Sequence, residues 1–278
     1  MAYKKILTVQ DISCVGQCSL TVALPILSAC GMETCILPSA ILSTHTAGFS
    51  GYTFHDLTDD IPEIRKHWEK ENIKFDAIYT GYLGSTKQID YVKDLFSGVS
   101  AENCVKVVDP AMADNGKLYP AFDETYVTAM KTLCAGADIL IPNITEACFL
   151  TDTEYKAEYD EAYINSIVEK LIALGAKTVV LTGVSFEKGT TGVLVSENGK
   201  TNYYKHELIA KGSHGTGDVY ASAFVGALMN DKTVFEAAKI AADYTVECIT
   251  ATQGDENHWY GVKFETRLPS LIKMLELN

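Results

Sequence analysis

The 278 residues predict an α/β fold, with a mainly parallel sheet covered by helices on both faces and a small β-hairpin segment late in the chain. Three observations predict it. Short β-branched runs alternate with amphipathic helical stretches over most of the length. The strand-like runs end in polar clusters, as parallel strands do where they deliver ligand-binding loops. No linker, internal repeat or low-complexity tract interrupts the alternation, so residues 1–278 are expected to form one domain.

The elements follow in order. Residues 6–9 read as a buried strand delivering Gln10 and Asp11 at its carboxyl end. Residues 17–30 place Leu20, Ala23, Leu24, Leu27 and Cys30 on one helix face and stop at Gly31. Pro25 inside this stretch implies a kink or a later start. A second strand covers 34–37. Residues 43–54 are polar, aromatic and glycine-punctuated, which suits a binding loop or small flap. A helix over 58–71 leads to a strand at 75–80 with the exit loop 81–85. A helix over 86–97 leads to a strand at 105–108 that ends in Asp109-Pro110. After a helix near 123–134 comes a strand at 138–143, then a helix over 158–174 and a strand at 178–182. Segments 190–196 and 201–208 form the hairpin, with Asn198-Gly199 as a type I′ turn. Thr233-Val-Phe-Glu236 is a capping box for a helix to about 251, and a last helix lies near 266–276.

Charge and cysteine content narrow the partners. There are 36 acidic against 23 basic residues, a net charge of −13. That balance speaks against nucleic acid or anionic membranes, both of which are bound through positive fields. A nucleotide would have to be held by backbone donors, a few lysines and a divalent metal. No apolar run approaches the roughly 20 residues needed to cross a bilayer, and the N-terminus lacks a signal-peptide pattern, so a cytoplasmic protein is expected. The eight cysteines show no CxxC or zinc spacing and read as thiols in a reducing compartment.

The chemistry concentrates in Lys211-Gly-Ser-His-Gly-Thr-Gly-Asp218 and the small-residue helix behind it. Gly212, Gly215 and Gly217 permit close backbone approach. A helix start near Gly217 offers unpaired N–H groups to an anion. Asp218 either complements the helix dipole or handles a proton, and the anion-binding setting favours the proton. Right-handed crossovers would bring Asp11, Asp109, Asn143, Thr182 and the 215–218 loop to one sheet edge. No P-loop occurs, and no GxGxxG follows the first strand. Asn143-Ile-Thr-Glu146 is either a helix cap with a returning glutamate or a carboxylate placed to orient metal-bound water. Asp109-Pro110 is either a strand terminator or, as its place on the same edge as Asp218 favours, a source of negative charge for a cation.

Gly215-Thr-Gly-Asp218 with its helix resembles the signature of the ribokinase-like superfamily. Across roughly residues 5–230 the chain resembles the pyridoxal/pyridoxamine (vitamin B6) kinases within it. The matches are Val9-Gln-Asp-Ile-Ser-Cys-Val-Gly16, Ser43-Thr-His-Thr46, Gly81-Tyr-Leu-Gly-Ser85, Asp109-Pro110 and Pro142-Asn-Ile-Thr-Glu146. The resemblance implies a three-layer αβα sandwich and ATP- and Mg²⁺-dependent phosphorylation of the 5′-hydroxymethyl group of pyridoxal, pyridoxamine or pyridoxine. It implies that Asp218 is the base and that Gly215, Thr216 and Gly217 form an anion hole. Asp109 and Glu146 would stand on the metal and phosphate side, with Asp114 a further metal candidate. Asn143, Thr182, Lys211, Gly212 and Gly217 would serve the nucleotide, Thr182 meeting phosphate or a monovalent cation. Thr46, Asp11 and Tyr82 would line the acceptor pocket. A homodimer is implied in the same way.

Asp11 departs from the family pattern, which has a small hydroxyl-bearing residue there. It either faces the pyridine, preferring a protonated ring nitrogen or an amine, or bonds backbone in its own loop. Cys14 and Cys18 lie near this pocket, where a thiol could add to an aldehyde, although packing is the favoured role. The rival readings are a hydroxymethylpyrimidine (phosphate) kinase, which resembles GTGC at the loop where this chain has Asp218, a sugar or nucleoside kinase, and a catalytically silent B6-binding protein.

Overall fold

The computed structural model describes residues 3–209 and 214–277. The chain opens with β1 (Lys5–Ser13), α1 (Leu20–Ala29), β2 (Glu33–Leu42), β3 (Phe54–Asp56), α2 (Asp60–Lys70) and β4 (Phe75–Thr80). It continues with α3 (Thr86–Gly98), β5 (Ser100–Val108), the short strands β6 (Ala113–Asp114) and β7 (Lys117–Leu118), and α4 (Glu124–Cys134). Then come β8 (Ile139–Leu140), α5 (Ile144–Leu150), α6 (Glu161–Leu174), β9 (Thr178–Thr182), β10 (Thr190–Glu197) and β11 (Lys200–Glu207). Three helices complete it, α7 (Thr216–Met229), α8 (Val234–Thr252) and α9 (Leu268–Met274).

Nine strands form one sheet in the order β11-β10-β9-β8-β5-β4-β1-β2-β3. The run from β9 to β2 is parallel, and the hairpin β10–β11 and the edge strand β3 join it antiparallel. One apolar core packs α2 to α6 on one face, and a second packs α1, α7, α8 and α9 on the other. This is the three-layer αβα sandwich that the sequence predicts. The strand order reverses between β1 and β4, and such a switch point leaves a crevice beyond the carboxyl ends of the strands. No described helix is long and apolar enough to cross a membrane.

Local chemistry accounts for the turns. Asn198 and Gly199 have φ of 52° and 73°, the two positive values that a type I′ turn demands. Both capping boxes form, Asn143 with Glu146 and Thr233 with Glu236.

Several elements differ from expectation: β2 runs on to Leu42, β8 shrinks to Ile139–Leu140, and α5 follows it directly. Helix α1 starts late, at Leu20, yet still contains Pro25. β5 begins at Ser100 rather than 105, because its first half is only partly buried and lacks an apolar signal. Segment 43–54 is not all loop, since residues 54–56 pair with β2.

Candidate active site

The fold brings the amino end of α7 over the switch point. Gly215 is the residue before the helix, with φ 74° and ψ 4°. A Cβ there would lie 1.6 Å from the Gln17 carbonyl oxygen, so backbone conformation and close approach both require glycine. Gly217 differs. Its φ is unexceptional, and a Cβ would meet nothing within 4 Å among the described residues. Packing against those residues therefore does not need that glycine, but a ligand approaching the first-turn N–H groups would. Thr216 opens the helix between the two. Lys211 and Gly212 lie outside the described residues.

Asp218 sits in the first turn of α7 and is partly buried. Burial pushes its carboxyl up to about 7, an N–H of Ser19 opposes the shift, and the charge of Asp11 adds to it. A carboxyl with this value exchanges a proton near neutral pH.

On the β5 side, Asp109 is also pushed up to about 7, first by burial and then by Asp218. One of its oxygens, Oδ1, accepts from the Ala111 N–H at 3.1 Å. Glu146 is 3% exposed, and both of its oxygens are engaged. Oε1 accepts from the Met112 N–H at 3.1 Å and Oε2 from the Asn143 N–H at 2.8 Å. Burial and then Asp109 hold its carboxyl well above the usual range. The Asn143 carboxamide accepts from the Glu146 N–H and donates to the Ala113 carbonyl. Asn143 and Glu146 thus fasten the loop after Asp109 to the start of α5. Thr182, bridged to Asn143, donates through its hydroxyl to the Pro142 carbonyl at 3.3 Å. Asp114 is exposed and is satisfied locally by Asn115. Among the described residues no group of three or more His, Cys, Asp or Glu converges on a metal position. Mg²⁺ asks for less, one or two carboxylates with the remaining positions filled by phosphate and water, and Asp109 fits that role.

On the β1 side, Asp11 occupies a bulge. The pairing of β1 with β2 shifts register between Gln10 and Ile12, and bulges beside active sites re-aim side chains. Asp11 is 5% exposed, and its Oδ2 accepts from the Ser13 hydroxyl at 3.1 Å. Burial raises its carboxyl, while the hydroxyls of Ser19 and Ser13 oppose the rise. Tyr82, at the exit of β4, is pushed up to about 12 by burial, then by Asp11. It packs against Phe122 with ring centroids 5.3 Å apart. Cys18 feels both Asp218 and Asp11, and burial holds its thiol far up and unreactive. Thr46 is exposed on the rim.

Sequence reasoning missed His45, the buried member of its motif. Its Nδ1 accepts from the Ala47 N–H at 3.2 Å, so Nε2 carries the proton and donates to the Tyr260 carbonyl at 2.8 Å. Trp259 and Phe49 pack nearby with tilted rings, their centroids 4.6 Å apart. The segment before α9 therefore closes over the flap and the acceptor side. Ser19 was missed as well. The one hint in the sequence is Gly16, where a Cβ would lie 2.1 Å from the His45 ring.

Comparison with known proteins places this geometry. A family model described as phosphomethylpyrimidine kinase matches residues 25–261. The chain belongs to that family. Its fold and kinase chemistry are therefore those of the family. A Bacteroides thetaiotaomicron structure, provisionally assigned as a phosphomethylpyrimidine kinase and solved with pyridoxal, is 37% identical. The match covers 97% of this chain and 96% of that one, with a TM-score of 0.91. Pyridoxal kinase from Lactobacillus plantarum is 29% identical over 98% of both chains, with a TM-score of 0.90. A curated pyridoxal kinase of Dictyostelium discoideum is 26% identical over 82% of this chain and 80% of its own length.

Proposed function

We propose that this kinase transfers the γ-phosphoryl group of ATP to the 5′-hydroxymethyl group of a B6 vitamer, whether pyridoxal, pyridoxamine or pyridoxine. The observation that carries the reading is Asp218, a carboxyl pushed up to about 7 in the first turn of a glycine-led helix. Phosphoryl transfer asks a protein mainly for positioning and electrostatics. The N–H groups of Gly215, Thr216 and Gly217 face the transferring phosphoryl, and Asp218 takes the alcohol proton as the bond to phosphorus forms. Asp11, Tyr82 and the flap carrying Thr46 receive the pyridine ring. Asn143 and Thr182 serve the nucleotide side, with Lys211 and Gly212 assigned there from sequence, and Thr182 is the candidate for a monovalent cation.

Asp109 would hold Mg²⁺, which supplies charge neutralisation at the phosphates when bound. Glu146 acts on that ion indirectly, by fixing residues 111–113, and Asp114 stands at the rim as a weaker candidate. The bound pyridoxal of the Bacteroides relative supports a pyridine acceptor. The family description supports a second acceptor, hydroxymethylpyrimidine or its phosphate. Purified protein given ATP, Mg²⁺ and each vitamer or pyrimidine alcohol in turn distinguishes the two. Turnover of the pyrimidine alone would overturn the first reading.

We further infer one domain over 1–278, supported by the single large sheet, and a cytoplasmic setting, supported by eight free cysteines. Dimerisation is supported by the exposed edge of β3 and its neighbours Tyr52 and Ile41, since open sheet edges invite pairing.

A further inference from the structure

His45 gathers three distant pieces of chain. It lies between β2 and β3, next to Thr46 in the flap, and is 4% exposed. Its backbone N–H donates to the Val15 carbonyl at 3.2 Å. Its Nε2–H donates to the Tyr260 carbonyl at 2.8 Å, and its Nδ1 accepts from the Ala47 N–H at 3.2 Å. The ring of His214, the residue before Gly215, packs against it with centroids 5.5 Å apart. Both ring nitrogens are therefore committed to protein, and neither is left for a ligand. The Tyr260 carbonyl also accepts from the Gln17 N–H, at 3.4 Å. Gln17 in turn presents its own carbonyl to Gly215, where a Cβ would lie 1.6 Å away. One carbonyl of the stretch before α9 thus ties the flap to the loop that abuts Gly215.

Glycines mark how closely these pieces meet. A Cβ at Gly48 would lie 2.7 Å from the Trp259 ring, and one at Gly16 would lie 2.1 Å from His45. Gly261 has no positive φ, so its backbone does not ask for glycine. A Cβ there would nevertheless lie 2.4 Å from the Gln17 Cβ, and that close approach accounts for the residue. We propose that His45 is a positioning residue, whose Nε2–H bond to the Tyr260 carbonyl sets the flap carrying Thr46 against the loop that abuts Gly215. The inference rests on the reading that this flap borders the acceptor.

Two replacements of His45 test it, because each keeps one of the two ring contacts. An asparagine amide reaches the place of Nδ1, and a glutamine amide reaches the place of Nε2. Each loses one hydrogen bond, so the two variants should melt within a few degrees of each other. His45→Asn should lower the acceptor kcat/KM roughly five- to tenfold, with the ATP KM within about twofold. His45→Gln should recover most of the parent value. Gly261→Ala should lower the acceptor kcat/KM as well, since its Cβ drives Gln17 away from the Tyr260 stretch. A residue that only held the loop together would lower the melting temperature in both His45 variants and affect acceptor kcat/KM in neither, or in both alike. Equal acceptor kcat/KM in His45→Asn and His45→Gln, or a parent-like value in Gly261→Ala, overturns the inference. The assays use whichever pyridine or pyrimidine alcohol the unmodified enzyme turns over, so failure of the vitamer assignment and failure of the role of His45 are read separately.

Discussion

The charge of Asp218 reaches Asp109 across the strand exits and, after burial, raises that carboxyl to about 7. The two carboxyls stand where α7 and β5 meet the crevice, Asp218 on the proposed acceptor side and Asp109 on the proposed phosphate side. Repulsion between them is relieved by a proton or by a cation, and either relief has measurable consequences.

The first consequence concerns pH and stability. An unfolded aspartate titrates near 3.9, whereas Asp109 and Asp218 titrate near 7 in the fold. Between these values the folded chain binds more protons than the unfolded one, so stability falls as pH rises. The free protein should be most stable to urea near pH 5 and less stable at pH 8. Asp218→Asn should flatten this slope and be the more stable protein at pH 8, by ~1–3 kcal/mol.

The same substitution separates binding from chemistry. Asp218→Asn keeps the shape and loses the proton acceptor. Acceptor KM should stay within a few-fold while kcat falls by roughly 10²–10⁴. Near-normal turnover would remove Asp218 from the role of base.

Gly215 and Gly217 make opposite predictions. Gly215→Ala forces a Cβ onto the Gln17 carbonyl at positive φ and should destabilise by about 2–4 kcal/mol, read by thermal melting. Gly217→Ala has room among the described residues, so its melting temperature should match the parent. A methyl at that helix start would still obstruct an incoming phosphate, and kcat/KM for ATP should fall at least about tenfold.

Glu146 distinguishes a fastening residue from a metal ligand. Glutamine presents one acceptor where glutamate presents two, so Glu146→Gln leaves the Met112 or the Asn143 N–H unpaired. Stability should drop by ~1–3 kcal/mol even without Mg²⁺. A loss of Mg²⁺ affinity with unchanged melting of the free protein would instead make Glu146 a direct ligand.

The parts legible in sequence are those set by local chemistry. Alternating patterns give the strands and helices, Asn198-Gly199 gives its turn, and the cap that Asn143 and Glu146 form is one of the two readings their spacing allows. The strand exits converge because parallel crossovers have one hand. What escaped depends on contacts between distant segments. His45 is fixed by the Tyr260 carbonyl, 215 residues away. Ser19 has an ordinary N-cap identity, yet its side chain makes no cap bond to α1 and its φ is 55°. Asp11 is aimed by a bulge that no spacing announces. Thr46 and Asp114 sit in the right loops, but the fold leaves both exposed. Motif position does not determine which of two neighbouring side chains turns inward.

The central claim is a kinase whose partly buried Asp218 activates the hydroxymethyl group of a pyridine. The most direct measurement supplies ATP and Mg²⁺ with pyridoxal, pyridoxamine, pyridoxine and hydroxymethylpyrimidine separately and follows ADP and phosphorylated product. The account predicts a 5′-phosphate from at least one B6 vitamer, with that product lost in Asp218→Asn. Product from hydroxymethylpyrimidine alone, or from no acceptor at all, would contradict it.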